Sequence, residues 1–176
     1  MSIFICPHCG KELFRSGTAL HCSAGHTFDR SAEGYVHLLP VNKKHSKQPG
    51  DSPQMVQARN QFLSKGYYEP LRNALCSAVS KAAVKTVRPV ILDCGCGEGY
   101  YTEEICRRTQ NAAVYGVDIS KTAVKKAAKR TKEARFAVAS VYRLPVSDRC
   151  IDFLINVFAP LSAEEYNRVL KPGGKM

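Results

Sequence analysis

The chain has 176 residues, 44% of them hydrophobic and 23% charged, a mixture that suits one or two small globular domains and excludes an intrinsically disordered chain. With 26 Lys and Arg against 15 Asp and Glu the net charge is +11, spread along the whole length, which points to a polyanionic partner such as nucleic acid. No apolar run approaches the roughly 20 residues of a membrane-spanning helix, and Met1 to Cys6 lacks the basic start of an export signal. A cytoplasmic protein with no membrane partner is expected, and there the eight cysteines would bind metal or pack rather than pair.

Residues 1–40 are rich in Cys, His and Gly and show no sustained hydrophobic period, so this module needs a staple. Cys6-x2-Cys9 and Cys22-x3-His26 have the spacing of a structural zinc site. Four protein ligands would close the tetrahedron and leave no open position, so this Zn2+ is expected to fold the module rather than catalyse. His8 and His21 are adjacent alternatives with poorer spacing.

Residues 41–88 read as a basic linker and two helices. Lys43, Lys44, His45 and Lys47 lie where a linker could meet RNA. Ser52-Pro53 is a helix start, with a capping hydroxyl followed by Pro at the first helical position, and Gly66 ends that helix. A second helix is expected from Glu69 to about Lys85, before Arg88-Pro89.

From residue 89 to 176 short apolar runs alternate with helical stretches, the pattern of a doubly wound, mostly parallel α/β sheet. Val90 to Leu92 is the first strand, Val114 to Val117 the second, Arg135 to Ala139 the third and Ile151 to Phe158 the fourth. Ser120 caps a helix whose Ala123, Val124, Ala127 and Ala128 form an apolar face, its lysines reading as a solvated outer side. Lys171-Pro172-Gly173-Gly174 is expected to be a turn that launches a fifth strand.

The loop Asp93-Cys-Gly95-Cys-Gly97-Glu98-Gly99 follows the first strand and opens a helix. Dinucleotide sites favour G-x-G-x-x-G, and here the third Gly comes one residue early. A carboxylate at the strand end would repel pyrophosphate, whereas it suits the ammonium group of S-adenosylmethionine (SAM). Asp118, ending the second strand, can accept both ribose hydroxyls. Strand, loop, helix, strand and acid together indicate a SAM-dependent methyltransferase of the Rossmann-like class I type. Ser140 is placed to meet the adenine. Asn156, late in the fourth strand, is the one catalytic candidate, and Phe158-Ala159-Pro160 lies where a substrate base would enter. Cys94 and Cys96 read as small packing residues. Tyr67 and Tyr68 read as core or as a cover for the adenosyl group.

Several segments together carry a family resemblance: Cys6-Pro-His-Cys9, Cys22-Ser-Ala-Gly-His26, Glu33-Gly-Tyr-Val-His-Leu-Leu-Pro40, Pro49-Gly-Asp-Ser52, Gly66-Tyr-Tyr-Glu-Pro-Leu71 and Asp93 to Thr102. The chain resembles the bacterial large-subunit ribosomal RNA guanine-N1 methyltransferases over essentially all of its length. That resemblance implies that Tyr68, Gly97 and Glu98 contact SAM, and that Cys6, Cys9, Cys22 and His26 hold zinc in a ribbon-like module that grips a ribosomal RNA hairpin. It also implies that family members continue beyond the position of Met176, into a histidine that touches SAM and further strands that lie beside the fourth, which would here be a bare edge. A homodimer stays open. A small-molecule methyltransferase and a non-enzymatic, zinc-dependent RNA-binding remnant are the competing readings.

Overall fold

The computed structural model describes residues 2–40 and 49–176. The expected RNA contacts at Lys43, Lys44, His45 and Lys47 fall outside these residues.

The N-terminal module is a three-stranded antiparallel sheet of β1 (Phe14–Ser16), β2 (Ala19–His21) and β3 (Thr27–Asp29). Such short strands bury little, so the module draws on two other sources of order. One is its Cys/His cluster. The other is the main domain, because Phe4 forms an antiparallel bridge with Val146 and sets its ring edge-on to Tyr115 at 5.4 Å. Ile3, Phe4, Cys6, Leu13 and Cys22 share one apolar core with Leu92, Tyr115, Ala137 and Leu154 of the large sheet.

That large sheet has six strands in the order β4 (Val36–His37), β7 (Arg135–Val138), β6 (Ala113–Asp118), β5 (Val90–Cys94), β8 (Ile151–Asn156), β9 (Leu170–Lys175), every neighbour parallel. Central β5 is buried from Ile91 to Cys94, as a parallel strand covered on both faces must be, hence its unbroken apolar run. Helices α1 (Pro53–Ser64), α2 (Glu69–Ala83), α3 (Tyr100–Arg108), α4 (Lys121–Arg130) and α5 (Ala163–Val169) complete the described fold. Ser52 caps α1 by accepting from Met55 N–H at 3.2 Å, and Ser120 caps α4 by accepting from Ala123 N–H at 3.4 Å. The second apolar core lies under α3 and α4, around Ile91, Ile105, Val124 and Phe136.

Two expectations need correction. The fourth strand is not a bare edge, because β9 runs parallel beside β8. Nor does Lys171-Pro-Gly-Gly174 precede a strand; it lies inside β9, and the register between Ile151 and Phe153 shifts to absorb it. A Pro–Gly pair tolerated in a strand belongs to an edge, where the missing N–H faces outward. The N-terminal segment also contributes more than a zinc module, since Val36 and His37 pair with Ala137 and Val138 as the opposite edge of the large sheet.

Candidate metal and cofactor sites

In the N-terminal module one ligand atom from each of Cys6, Cys9, Cys22 and His26 comes together, all within 4.8 Å of one another. Two tight turns bring them there: Gly10 N–H donates to Cys6 O at 2.8 Å, and Gly25 N–H donates to Cys22 O at 3.0 Å. Cys9 Sγ lies 3.6 Å from Cys22 Sγ, and His26 Nδ1 lies 3.5 Å from Cys6 Sγ and 3.3 Å from Cys22 Sγ. Tetrahedral zinc, with sulfur at about 2.3 Å and nitrogen at about 2.0 Å, spaces its ligands about 3.5 to 3.8 Å apart. The donor set therefore fits Zn2+. The two alternative histidines are engaged otherwise: His21 Nδ1 pairs with Thr27 Oγ1 at 3.0 Å, and the His8 ring stacks on Phe28.

The second site opens where the strand order reverses, between β5 and β8, the position at which open α/β sheets bind ligands. A cavity of about 510 Å³ lies there, lined by the 95–98 loop, Tyr68, Asp118, Ser140 and the 157–160 segment, with Gly50, Asp51 and Arg59 closing it from the start of α1. Of the expected cofactor residues, Tyr68, Gly95, Gly97, Glu98, Asp118 and Ser140 all reach this wall.

The loop is shaped by contacts from below. Gly95 has φ 77°, and a Cβ there would land inside the methyl group of Ala159. Gly97 has φ 54° and open space where a Cβ would be, so a ligand can approach its backbone. Asp118 accepts from Gly97 N–H at 3.0 Å through one oxygen and from Ser120 N–H at 2.8 Å through the other. Each oxygen keeps a second lone pair for a hydroxyl. Burial raises the Asp118 carboxyl above its ordinary value, against the lowering effect of those two amides.

Asp93 lies one layer deeper. It does not reach the cavity wall; its Oδ2 accepts from Thr102 Oγ1 at 2.6 Å, tying the end of β5 to α3. Burial, with the nearby Asp118 charge, pushes its carboxyl up to about 7 although the Thr102 bond pulls the other way. Cys94 and Cys96 are buried, and desolvation followed by the Asp93 charge holds both thiols well above the ordinary value, as suits packing residues. Asn156 is engaged through both ends of its amide: Nδ2 donates to Pro160 O at 3.1 Å and Tyr166 OH at 2.9 Å, and Oδ1 accepts from Ala159 N–H at 3.1 Å.

Three contacts that shape the site have no counterpart in the sequence pattern. Arg130 of α4 donates from Nε to Glu98 O at 3.1 Å and from Nη1 to Glu103, so part of the basic helix braces the loop instead of facing solvent. Arg59 pairs with Asp51 at the cavity wall. Ser120 Oγ donates to Asp51 O at 3.1 Å, seating the strap before α1 against the β6 turn. The Arg130 and Ser120 contacts join segments far apart in the chain, with no local spacing to betray them.

Glu98 Oε1 and the hydroxyls of Tyr100 and Tyr101 are buried beside this cavity with no hydrogen-bond partner among the described residues. Buried polar atoms seldom go unsatisfied, and a polyhydroxylated, cationic ligand would satisfy them. The residues present therefore fit SAM.

Sheet order, switch-point cavity and glycine loop define a class I methyltransferase domain. The family model described as "Methyltransferase domain" matches residues 91–174, and the model described as "RlmA, N-terminal" matches residues 4–47. A solved structure of a provisionally assigned SAM-dependent methyltransferase from Methanococcus maripaludis superposes with a TM-score of 0.62 at 16% identity, covering 74% of this chain and 65% of that one.

Nearly the whole chain is similar to proteins named as 23S rRNA (guanine-N1)-methyltransferases. It is 37% identical over 172 residues to the 23S rRNA (guanine(748)-N1)-methyltransferase of Streptomyces fradiae, covering 97% of this chain and 60% of the relative. It is 35% identical over 188 residues to a protein of Micromonospora griseorubida provisionally named a 23S rRNA (guanine-N1)-methyltransferase, covering 97% and 63%. The chain thus spans about three-fifths of the length of these relatives.

Proposed function

We propose that the protein transfers a methyl group from SAM to N1 of a guanine in large-subunit ribosomal RNA, with the zinc ribbon helping to hold the RNA. The observation that carries this reading is the coexistence, in one chain, of a metal-fitting ribbon that matches the RlmA N-terminal model and a switch-point cavity with unsatisfied polar walls. The net charge of +11 supports a phosphate-rich partner.

When bound, SAM supplies an electrophilic methyl group on a sulfonium centre. The protein's own task is then mostly placement. The backbone of Gly95 to Gly99 and the N-terminal end of α3 present amide dipoles to a carboxylate. Asp118 has spare lone pairs that would accept from ribose hydroxyls, and Glu98 and the buried Asp93, where ionised, would favour a cationic ligand. Tyr68 and Ser140 flank the rest of the cavity wall. Asn156 acts by position, since its amide holds the 157–160 turn and a carboxamide is too weak a base to take a proton. The guanine must leave its stack to reach this wall, as in other base-modifying enzymes; as the N–C bond forms, the methyl–sulfur bond would break to release a neutral thioether, and the N1 proton must pass to an acceptor.

The test is methyl transfer from labelled SAM to 23S rRNA that lacks N1-methylguanine, read by incorporation and by the reverse-transcription stop such a base causes. A single new stop at a guanine is expected. Transfer to a metabolite alone would support the small-molecule reading instead. Salt-sensitive RNA binding with no SAM binding in calorimetry would support a non-enzymatic one.

A further inference from the structure

The loop after β8 holds one residue in a way that folding does not reward. Phe158 has φ 58°, a left-handed conformation that is a genuine outlier for a bulky side chain, and its ring is 80% exposed. A glycine would relieve the backbone, and an inward turn would bury the ring; the structure does neither. Nor is the loop slack. Asn156 ties it to Ala159 N–H and Pro160 O, Tyr166 OH donates to Pro160 O at 3.1 Å, and Ala159 sits against Gly95 so closely that no side chain fits between them. Anchors on both sides of Phe158 thus force it outward.

The place it is forced into is the rim of the cofactor cavity. The ring stands perpendicular to Tyr68, with centroids 5.8 Å apart. Tyr142, 64% exposed, and Phe62 line the same opening. Strain that persists because its surroundings over-determine it is commonly found where a ligand is clamped.

We propose that Phe158 is the stacking platform for the acceptor base, holding the plane of the extruded guanine at the mouth of the cavity, with Asn156 and Tyr166 as the positioning residues that fix it there. This rests on the rRNA-methyltransferase reading above and names the residue that recognises the substrate. A purine extruded from its loop loses its stacking neighbours, and an exposed aromatic ring returns one such contact without regard to hydrogen-bond pattern.

The experiment compares wild type with Phe158→Ala, Phe158→Gly and Phe158→Trp in three readouts: SAM affinity by calorimetry, kcat and KM for methyl transfer to unmethylated 23S rRNA, and quenching of 2-aminopurine in a short single-stranded RNA. The Ala and Gly variants should lose about tenfold to a hundredfold in kcat/KM, the range of one lost base–aromatic stack. Both should keep SAM affinity within about twofold and should lose the quenching. Phe158→Trp should retain both transfer and quenching. Phe158→Gly should melt no lower than wild type, because it relieves the left-handed residue. Wild-type transfer rates in Phe158→Ala would overturn the proposal, and so would an equal loss of SAM binding and transfer. If the wild type methylates no rRNA the parent reading fails, and the quenching comparison still decides: equal quenching by wild type and Phe158→Ala overturns the stacking role, and its loss in the variant sustains it.

Discussion

The ribbon and the cavity use polar groups in opposite ways. In the ribbon, three sulfurs and one nitrogen turn inward on a single point at metal-like spacings, and a filled tetrahedron leaves nothing for a substrate. In the cavity, Glu98 Oε1 and two tyrosine hydroxyls are buried and left without partners among the described residues. The first arrangement spends its donors on folding. The second withholds them for a ligand. Perturbing each should therefore give different signatures, a structural loss in one and a binding loss in the other.

The largest effect is expected at the ribbon. Structural zinc binding contributes on the order of 10 kcal/mol or more to modules that cannot fold without it. Chelation, or Cys22→Ser, should unfold residues 2–40, read as loss of amide-exchange protection in β1 to β3. Because Ile3, Phe4 and Cys22 belong to a core shared with Tyr115 and Leu154, the β4 edge of the large sheet should also loosen, while β5, β6 and β8 stay protected. A chelator that leaves exchange in β1 to β3 unchanged would refute the staple.

Next come the loop glycines, which separate fold from binding within a single motif. At Gly95 a methyl group would overlap Ala159 and the φ is left-handed, so Gly95→Ala should destabilise by roughly 2 to 4 kcal/mol and abolish SAM binding together. At Gly97 nothing lies near the added methyl, so Gly97→Ala should cost only about 1 kcal/mol of stability. Its SAM affinity should nevertheless fall at least about tenfold, because the methyl occupies the space a ligand needs. Thermal melts paired with calorimetry distinguish the two, and equal behaviour at both positions would break the distinction.

These differences show which parts of the molecule a sequence can disclose. The two short Cys/His spacings, the caps at Ser52 and Ser120 and the buried run of β5 are each set within a few residues, and the structure brings Cys6, Cys9, Cys22 and His26 together and forms the caps and the strand. The glycine loop is legible for the same reason. What could not be read are features made by distant contacts. The pairing of Val36–His37 with β7 spans about a hundred positions, and two residues of alternating pattern carry no strand signal of their own. Arg130 belongs to a helix whose lysines suggest a solvated face, yet its guanidinium is drawn inward by the carbonyl of Glu98. The misplaced turn at Pro172-Gly173 shows a third limit, since a local breaker signal yields to sheet pairing at an edge.

A smaller effect is expected at Asp118. Replacing it with Asn removes the charge and makes one of its two amide contacts repulsive, because an NH2 group would then face Gly97 N–H or Ser120 N–H. SAM affinity should fall about tenfold to a hundredfold, the scale of a charge-assisted hydrogen bond. The zinc ribbon should be untouched, with the same exchange protection as wild type. Loss of both would mean that the two sites are energetically one.

The finest test concerns Asp93, which tells a framework acid from a ligand-sensing one. Its folded carboxyl titrates at about 7 against an ordinary 3.8, so the native state holds a proton that the unfolded chain has released over that interval. Stability contributed by this group is therefore present at acid pH and falls as pH rises from about 4 to about 7. A cation bound above the loop favours the ionised form, so binding expels the proton and affinity should rise with pH. If only the ionised form accepts the cation, Kd should improve about tenfold between pH 6 and pH 8. Asp93→Asn keeps an oxygen for Thr102 but cannot ionise, so it should flatten both slopes. Burial raises Glu98 and Asp118 in the same direction, and the variant keeps a residual slope from them. An unaltered pH dependence in Asp93→Asn would mean that this carboxyl only joins β5 to α3, and that the charge felt by the ligand comes from the cavity wall alone.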